Sequence, residues 1–139
     1  MGVRRRGREL ALQILYQHEM SGTPLDVIFA AFDDLKDAPA VARDFAVALV
    51  RGVTDRRPEL DRELEGQADN WRLERMAVVD RNILRLALFE LRFDRGTPPA
   101  VVIDEAIEIA KRFGSERSGQ FINGVLDGLL HRIRPPAEA

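Results

Sequence analysis

The chain has 139 residues, 45% apolar and 32% charged, with a formal net charge of −2. This suits one soluble domain with its own core, about 100–200 residues being the usual size; any nucleic-acid role must rest on a local basic patch, not on overall charge. No cysteine is present, which excludes disulfides, thiol nucleophiles and thiolate metal sites and agrees with a cytoplasmic setting.

No apolar run approaches the ~20 residues of a membrane span. The start is Arg-rich but no apolar segment or cleavage site follows, so no signal peptide is expected. The two histidines, His18 and His131, are far apart in sequence, and neither is expected to bind metal.

Apolar residues recur at three- and four-residue steps, and no alternating strand pattern appears. A first helix spans about residues 4–20, with Leu10, Ala11, Ile14 and Leu15 inward, and Ser21-Gly22 ends it. Thr23 then caps a helix with Pro24 at its first position, carrying Leu25, Ile28, Phe29, Phe32 and Leu35 on one face. Pro39 starts a third helix (Ala42, Phe45, Ala46, Leu49, Val53), and Pro58 a fourth with a thin stripe of Leu60, Leu64 and Ala68. Residues 67–72 read as a loop holding the only tryptophan, Trp71.

A fifth helix lies within residues 73–93, with a break expected near Ala77 because Asp80 makes a good first-turn acid. Its apolar arc (Ile83, Leu84, Ala87, Leu88, Leu91) is broad enough to place it centrally. Arg95-Gly96-Thr97 reads as a turn, and Thr97-Pro98 caps a sixth helix with Val102, Ile103, Ala106, Ile107, Ala110 and Phe113 inward. A seventh, from Phe121 to Ile133, carries Ile122, Val125, Leu126 and Leu129 inward and ends before Pro135. The whole reads as all-α, about seven helices in two small antiparallel bundles, with a seam near Asn70 dividing about 1–69 from about 70–139.

Two features carry chemistry. The first is Arg4-Arg5-Arg6-Gly7-Arg8 at a helix start. Cations there oppose the helix dipole, so the run reads either as a phosphate-binding arm or as a solubilising terminus. Four arginines on single-stranded RNA phosphates would make log K fall with log salt at a slope of about −3. The second is the polar turn from Lys111 to Gly124. Gly114 fits a left-handed helix closure, Ser115 or Ser118 can cap the next helix, and that helix's N-terminus suits an anion. Phe121 falls at the edge of the last helix's apolar arc, beside Arg117 and Gln120. It reads either as a half-buried core aromatic or as a platform for a base. Asn123 reads as a structural hydrogen-bonder, and Asp104, Glu105 and Glu108 as a solvated helix face. No phosphate loop, zinc spacing or nucleophile–base pair is present, so no catalytic residue, metal or cofactor is expected.

Three segments carry a resemblance to a known family. They are residues 4–17 (RRRGRELALQILYQ), residues 80–91 (DRNILRLALFEL), and residues 97–106 (TPPAVVIDEA) followed by residues 121–127 (FINGVLD). Together they resemble the NusB family of bacterial transcription antitermination factors. The resemblance implies an all-α fold of two small bundles and no enzymatic activity. It also implies binding of the boxA element in ribosomal RNA leader transcripts together with NusE, a small-subunit ribosomal protein, within an antiterminating complex with RNA polymerase. On the family pattern, Arg4, Arg5, Arg6, Arg8 and Phe121 touch RNA, with Arg117 and Gln120 nearby, and Tyr16 and Asp80 face the protein partner.

Gly7 stands where the family usually has Ala, which should loosen the first turn by up to about 1 kcal/mol. Gln120 stands where many members have Lys, leaving Arg117 to supply the charge. Some members form homodimers that cover the RNA face, and this sequence leaves the monomer and the homodimer open. Two other readings remain at this point: the RNA-docking domain of a ribosomal RNA cytosine methyltransferase, and a purely structural helical oligomer.

Overall fold

The computed structural model describes residues 2–67, 72–94 and 96–133. Among them are eight α-helices, one 3-10 turn and no strand. Ala68, Trp71, Arg95 and Pro135, all part of the sequence reading, lie outside the described residues, as does the seam expected near Asn70. The chain forms two compact units, the first ending at Asp55 and the second beginning at Arg56. No helix among the described residues is long and apolar enough to cross a membrane.

The first unit holds α1 (Val3–Ser21), α2 (Leu25–Ala31), α3 (Asp33–Lys36) and α4 (Ala40–Asp55). Helices α1 and α4 form its main pair. Leu10, Ala11 and Ile14 of α1 and Ala42, Ala46, Leu49, Val50 and Val53 of α4 are buried. Gly22, at φ 72°, closes α1 in the left-handed region, and its N–H returns to the His18 carbonyl. The single helix expected over residues 24–35 is two. Phe32 is extended (φ −84°, ψ 100°), and its carbonyl accepts from the N–H groups of Leu35 and Lys36. Asp33 and Asp34 then fill the first turn of α3, where acids complement the dipole. Thr23 does not cap α2. Its carbonyl accepts from His18 Nδ1 at 2.7 Å, and Pro24 precedes the first helical residue.

Gly7 is not merely a loosened turn. A Cβ at this position would stand 2.8 Å from Phe45 Cδ2 and 3.0 Å from the Ala42 carbonyl oxygen. The side-chain-free position is what lets α4 approach α1 so closely.

The second unit is built on α6 (Val78–Phe93), with α5 (Arg57–Gln67), α7 (Pro99–Phe113) and α8 (Ser118–Ile133) packed around it. Leu84, Ala87, Leu88 and Leu91 are buried on α6, and so are Asn82, Arg85 and Glu90. Core positions on the flanking helices include Leu60 and Leu64, Val102, Ala106 and Ala110, and Ile122, Leu126 and Leu129. Buried charge needs partners, and Arg85 is held in a fork by Asp61 (2.7 and 3.1 Å) while donating to Asn82 Oδ1 at 3.1 Å. Nearer the end of α6, Arg92 pairs with Glu63. The hydrogen bonds that Arg92 donates to the Glu63 carboxylate hold its guanidinium above its ordinary pKa; burial opposes the shift and the carboxylate charge adds to it.

The break before α6 is a 3-10 turn, Leu73–Arg75, followed by extended Met76 and Ala77. Arg81 Nη1 fastens it by donating to the carbonyls of Leu73 (3.2 Å) and Met76 (3.3 Å).

The Gly7 contact generates a stability prediction. Ala is the better helix former, by about 1 kcal/mol, but overpacking of a tight contact costs about 1–3 kcal/mol. Gly7→Ala is therefore expected to lower the unfolding free energy by about 1 kcal/mol net, measured by urea denaturation.

Candidate nucleic-acid interface

The turn after α7 places the site in the second unit. Lys111 and Arg112 occupy the last turn of α7, where cations meet the negative end of the dipole. Gly114 ends the helix with φ −93° and ψ −167°, an extended conformation and not the left-handed one its sequence suggests. Its glycine is required by space. A Cβ there would lie 2.4 Å from Ser118 Oγ, 2.6 Å from Ser118 Cβ and 2.8 Å from the Ala110 carbonyl oxygen.

Ser118 is the clasp of this turn. It is 1% exposed, its Oγ accepts the Ser115 N–H at 2.8 Å, and it lies 3.1 Å from Ser115 Oγ. Its hydroxyl therefore closes the turn backwards and does not cap the helix ahead. Helix α8 starts at Ser118, one turn earlier than the apolar pattern suggests, because Gly119 and Gln120 continue the helix without adding apolar signal. Asn123, expected to tie the turn to the helix, is exposed; Ser118 makes that tie.

This turn and the Met76-Ala77 segment border a groove of about 400 Å³, in the size range of ligand sites. Arg75, Met76, Ala77, Asp80, Ser115, Arg117, Ser118, Gln120 and Phe121 line it. Arg75, Arg117 and Gln120 are exposed, and Phe121 is half-buried. Asp80 sits in the first turn of α6; its Oδ1 is buried and has no hydrogen-bond partner among the described residues. Asp80, expected on the protein-partner face, thus shares a groove with three of the expected RNA residues.

The remaining candidates belong to the first unit. Arg4 is exposed, and Arg5 and Arg6 are half-buried. Arg8 is only 4% exposed. The guanidinium carbons of Arg4 and Arg8 lie 5.0 and 5.3 Å from the centroid of the Phe45 ring, within cation–π range. The first-turn arginines therefore divide, with Arg8 packed into the unit. Tyr16, at 41% exposure, and Met20, at 60%, stand one turn apart on α1 as an exposed apolar pair.

Sequence reasoning missed Arg75, Met76 and Ala77. The signal available was the break expected at Ala77, which brings this segment next to Asp80 in the chain. No group of three or more metal-ligating side chains occurs among the described residues.

The NusB family model matches residues 5–131. The chain belongs to the NusB family. The transcription antitermination protein NusB of Geobacter sulfurreducens is 48% identical over 134 residues, covering 96% of this chain and 97% of that protein. Among solved structures, NusB of T. maritima matches with a TM-score of 0.83 and 41% identity, covering 91% of this chain and 89% of that one. A crystal structure of antitermination factors NusB and NusE in complex with double-stranded RNA matches with a TM-score of 0.85 and 26% identity, covering 95% and 98%. Within this NusB-family chain, Gln120 and Arg117 line the same groove, so a cation remains there although position 120 is neutral.

The clasp generates its own prediction. Gly114→Ala drives a methyl group into Ser118, and overpacking of this kind costs about 1–3 kcal/mol. The expected outcome is a lower melting temperature and, in hydrogen exchange, lost protection at the start of α8.

Proposed function

We propose that this chain is a non-enzymatic, cytoplasmic transcription antitermination factor. It binds the boxA element of ribosomal RNA transcripts together with NusE and supports processive rRNA transcription within a complex with RNA polymerase. The observation that carries the reading is the groove in which Phe121, Arg117 and Gln120 stand together, on a chain whose relatives are antitermination proteins. The solved NusB–NusE–RNA assembly of a family member supports the choice of partners.

In this reading the two units contribute different things. The first supplies phosphate neutralisation through Arg4, Arg5 and Arg6, and an apolar protein-docking face at Tyr16 and Met20. The second supplies Phe121, on which an unpaired base stacks, with Arg117 and Gln120 as backbone and edge contacts. Arg8 is assigned to the fold, because its guanidinium is buried over Phe45.

The test is the affinity for boxA RNA against a scrambled sequence, with NusE present and absent. Base–aromatic stacking is worth about 1–3 kcal/mol per base, so Phe121→Ala should weaken boxA binding roughly ten-fold. Unchanged affinity in a folded variant removes Phe121 from the site. Arg4, Arg5, Arg6 and Arg117 together predict a salt slope of about −3 on single-stranded RNA. Arg4→Ala should lower its magnitude by about 0.7. Arg8→Ala should leave the slope alone and instead cost about 1–2 kcal/mol of stability through the lost cation–π contact, read from denaturant unfolding.

A further inference from the structure

Helix α8 contains one residue pair with covalent chemistry of its own. Asn123 is followed by Gly124, and both are exposed. A carboxamide next to glycine is open to attack by its own backbone, because the following residue has no Cβ to hinder the approach. Tertiary packing adds no hindrance. Apart from its chain neighbours and the backbone of its own helix, a Cβ at Gly124 would meet no atom within 4 Å. The other two asparagines differ. Asn82 is 2% exposed, donates to the Val78 carbonyl at 3.0 Å, accepts from Arg85 at 3.1 Å and precedes the branched Ile83. Asn70 precedes the bulky Trp71.

We propose that Asn123 is a spontaneous deamidation site whose reaction is gated by the start of α8. In the locally open chain the Gly124 backbone nitrogen attacks the side-chain carbonyl carbon of Asn123. The new C–N bond forms, the bond to the amide nitrogen breaks, and ammonia leaves with the Gly124 N–H proton. Water then opens the resulting succinimide at either carbonyl, giving aspartate or isoaspartate.

The closed helix prevents this. Asn123 lies in the second turn of α8. There the Gly124 N–H is committed to the carbonyl four residues back, and helical geometry aims its nitrogen away from the carboxamide. Reaction therefore requires local opening. Gly119, Gly124 and Gly128 all lie within α8, and Gly is the poorest helix former after Pro. Closure of the helix start rests instead on the Ser115–Ser118 clasp and on burial of Ile122, Val125 and Leu126. The product reinforces the opening. A carboxylate at position 123 stands one turn before the exposed Asp127, and like charges at that spacing destabilise a helix. Isoaspartate also lengthens the main chain by one carbon and breaks the hydrogen-bond register. The modification thus disorders the helix that carries Phe121 and Gln120, and this inference stands whether or not that surface binds RNA.

The experiment incubates the full chain at mildly alkaline pH, native and in urea, and follows amide-to-acid conversion by peptide mass spectrometry. Conversion is expected at Asn123, faster in urea than in the native protein. Gly114→Ala strains the clasp without altering the reacting pair. It should accelerate the native reaction roughly ten-fold, equivalent to about 1.4 kcal/mol of easier opening, and leave the rate in urea unchanged. Ser118→Ala, a milder loosening, should shift the native rate in the same direction and keeps the test valid if Gly114→Ala does not fold. Gly124→Ala should suppress conversion in both conditions, because a Cβ hinders the open chain as well. Asn123→Asp should lose hydrogen-exchange protection at the start of α8, while Asn123→Gln keeps it. The proposal is overturned by conversion at Asn70 or Asn82 in place of Asn123, or by no conversion in urea. It is equally overturned by equal rates in native and urea conditions, or by a folded clasp variant that reacts no faster than the parent.

Discussion

The second unit depends on one constraint: α6 is surrounded by three other helices, so its polar side chains have to be satisfied inside protein. Arg85 shows how. Its guanidinium is 3% exposed, yet a two-pronged contact with Asp61 and a third contact with Asn82 use its donors. Removing a charge of this kind from water costs several kcal/mol before the partner repays it. The arrangement is therefore better understood as fixing how α5 lies along α6 than as a large net source of stability. With α6 so anchored, its first turn is a rigid place to present Asp80, and the extended Met76-Ala77 segment has a fixed edge to lie against.

The groove combines an aromatic face, two exposed guanidiniums, an amide and one carboxylate. Stacking surface, positive charge and hydrogen-bonding groups are thus set side by side. The first unit offers simpler chemistry: exposed positive charge at the start of α1 and an exposed apolar pair further along the same helix.

Much of this was legible in the residues. The periodicity of α1, α4, α6 and α7 and the all-α class followed from apolar spacing, and the position of Phe121 at an arc edge corresponds to its half-burial. What escaped had physical causes. Phe32 interrupts an apolar run without a breaker residue, because the two acids after it start a new helix. Gly114 looked like a conformational glycine and is a steric one; a sequence does not reveal that a serine four residues later occupies the space. Arg8 belongs by composition to a cationic arm, yet it is buried, with its guanidinium over the ring of Phe45, thirty-seven residues on. The groove itself joins residues 75–80 with residues 115–121, two segments that no local pattern connects.

The Ser115–Ser118 clasp bears on how this surface can change over time. The turn is held by a hydroxyl, a backbone N–H and the bare face of a glycine, while the side chains of Glu116 and Arg117 are exposed. Charge at those two positions can be exchanged without moving the ring of Phe121. Surface charge and placement of the Phe121 aromatic are thereby uncoupled. A lineage can change the charge of this surface by single substitutions while the geometry of the turn is inherited intact.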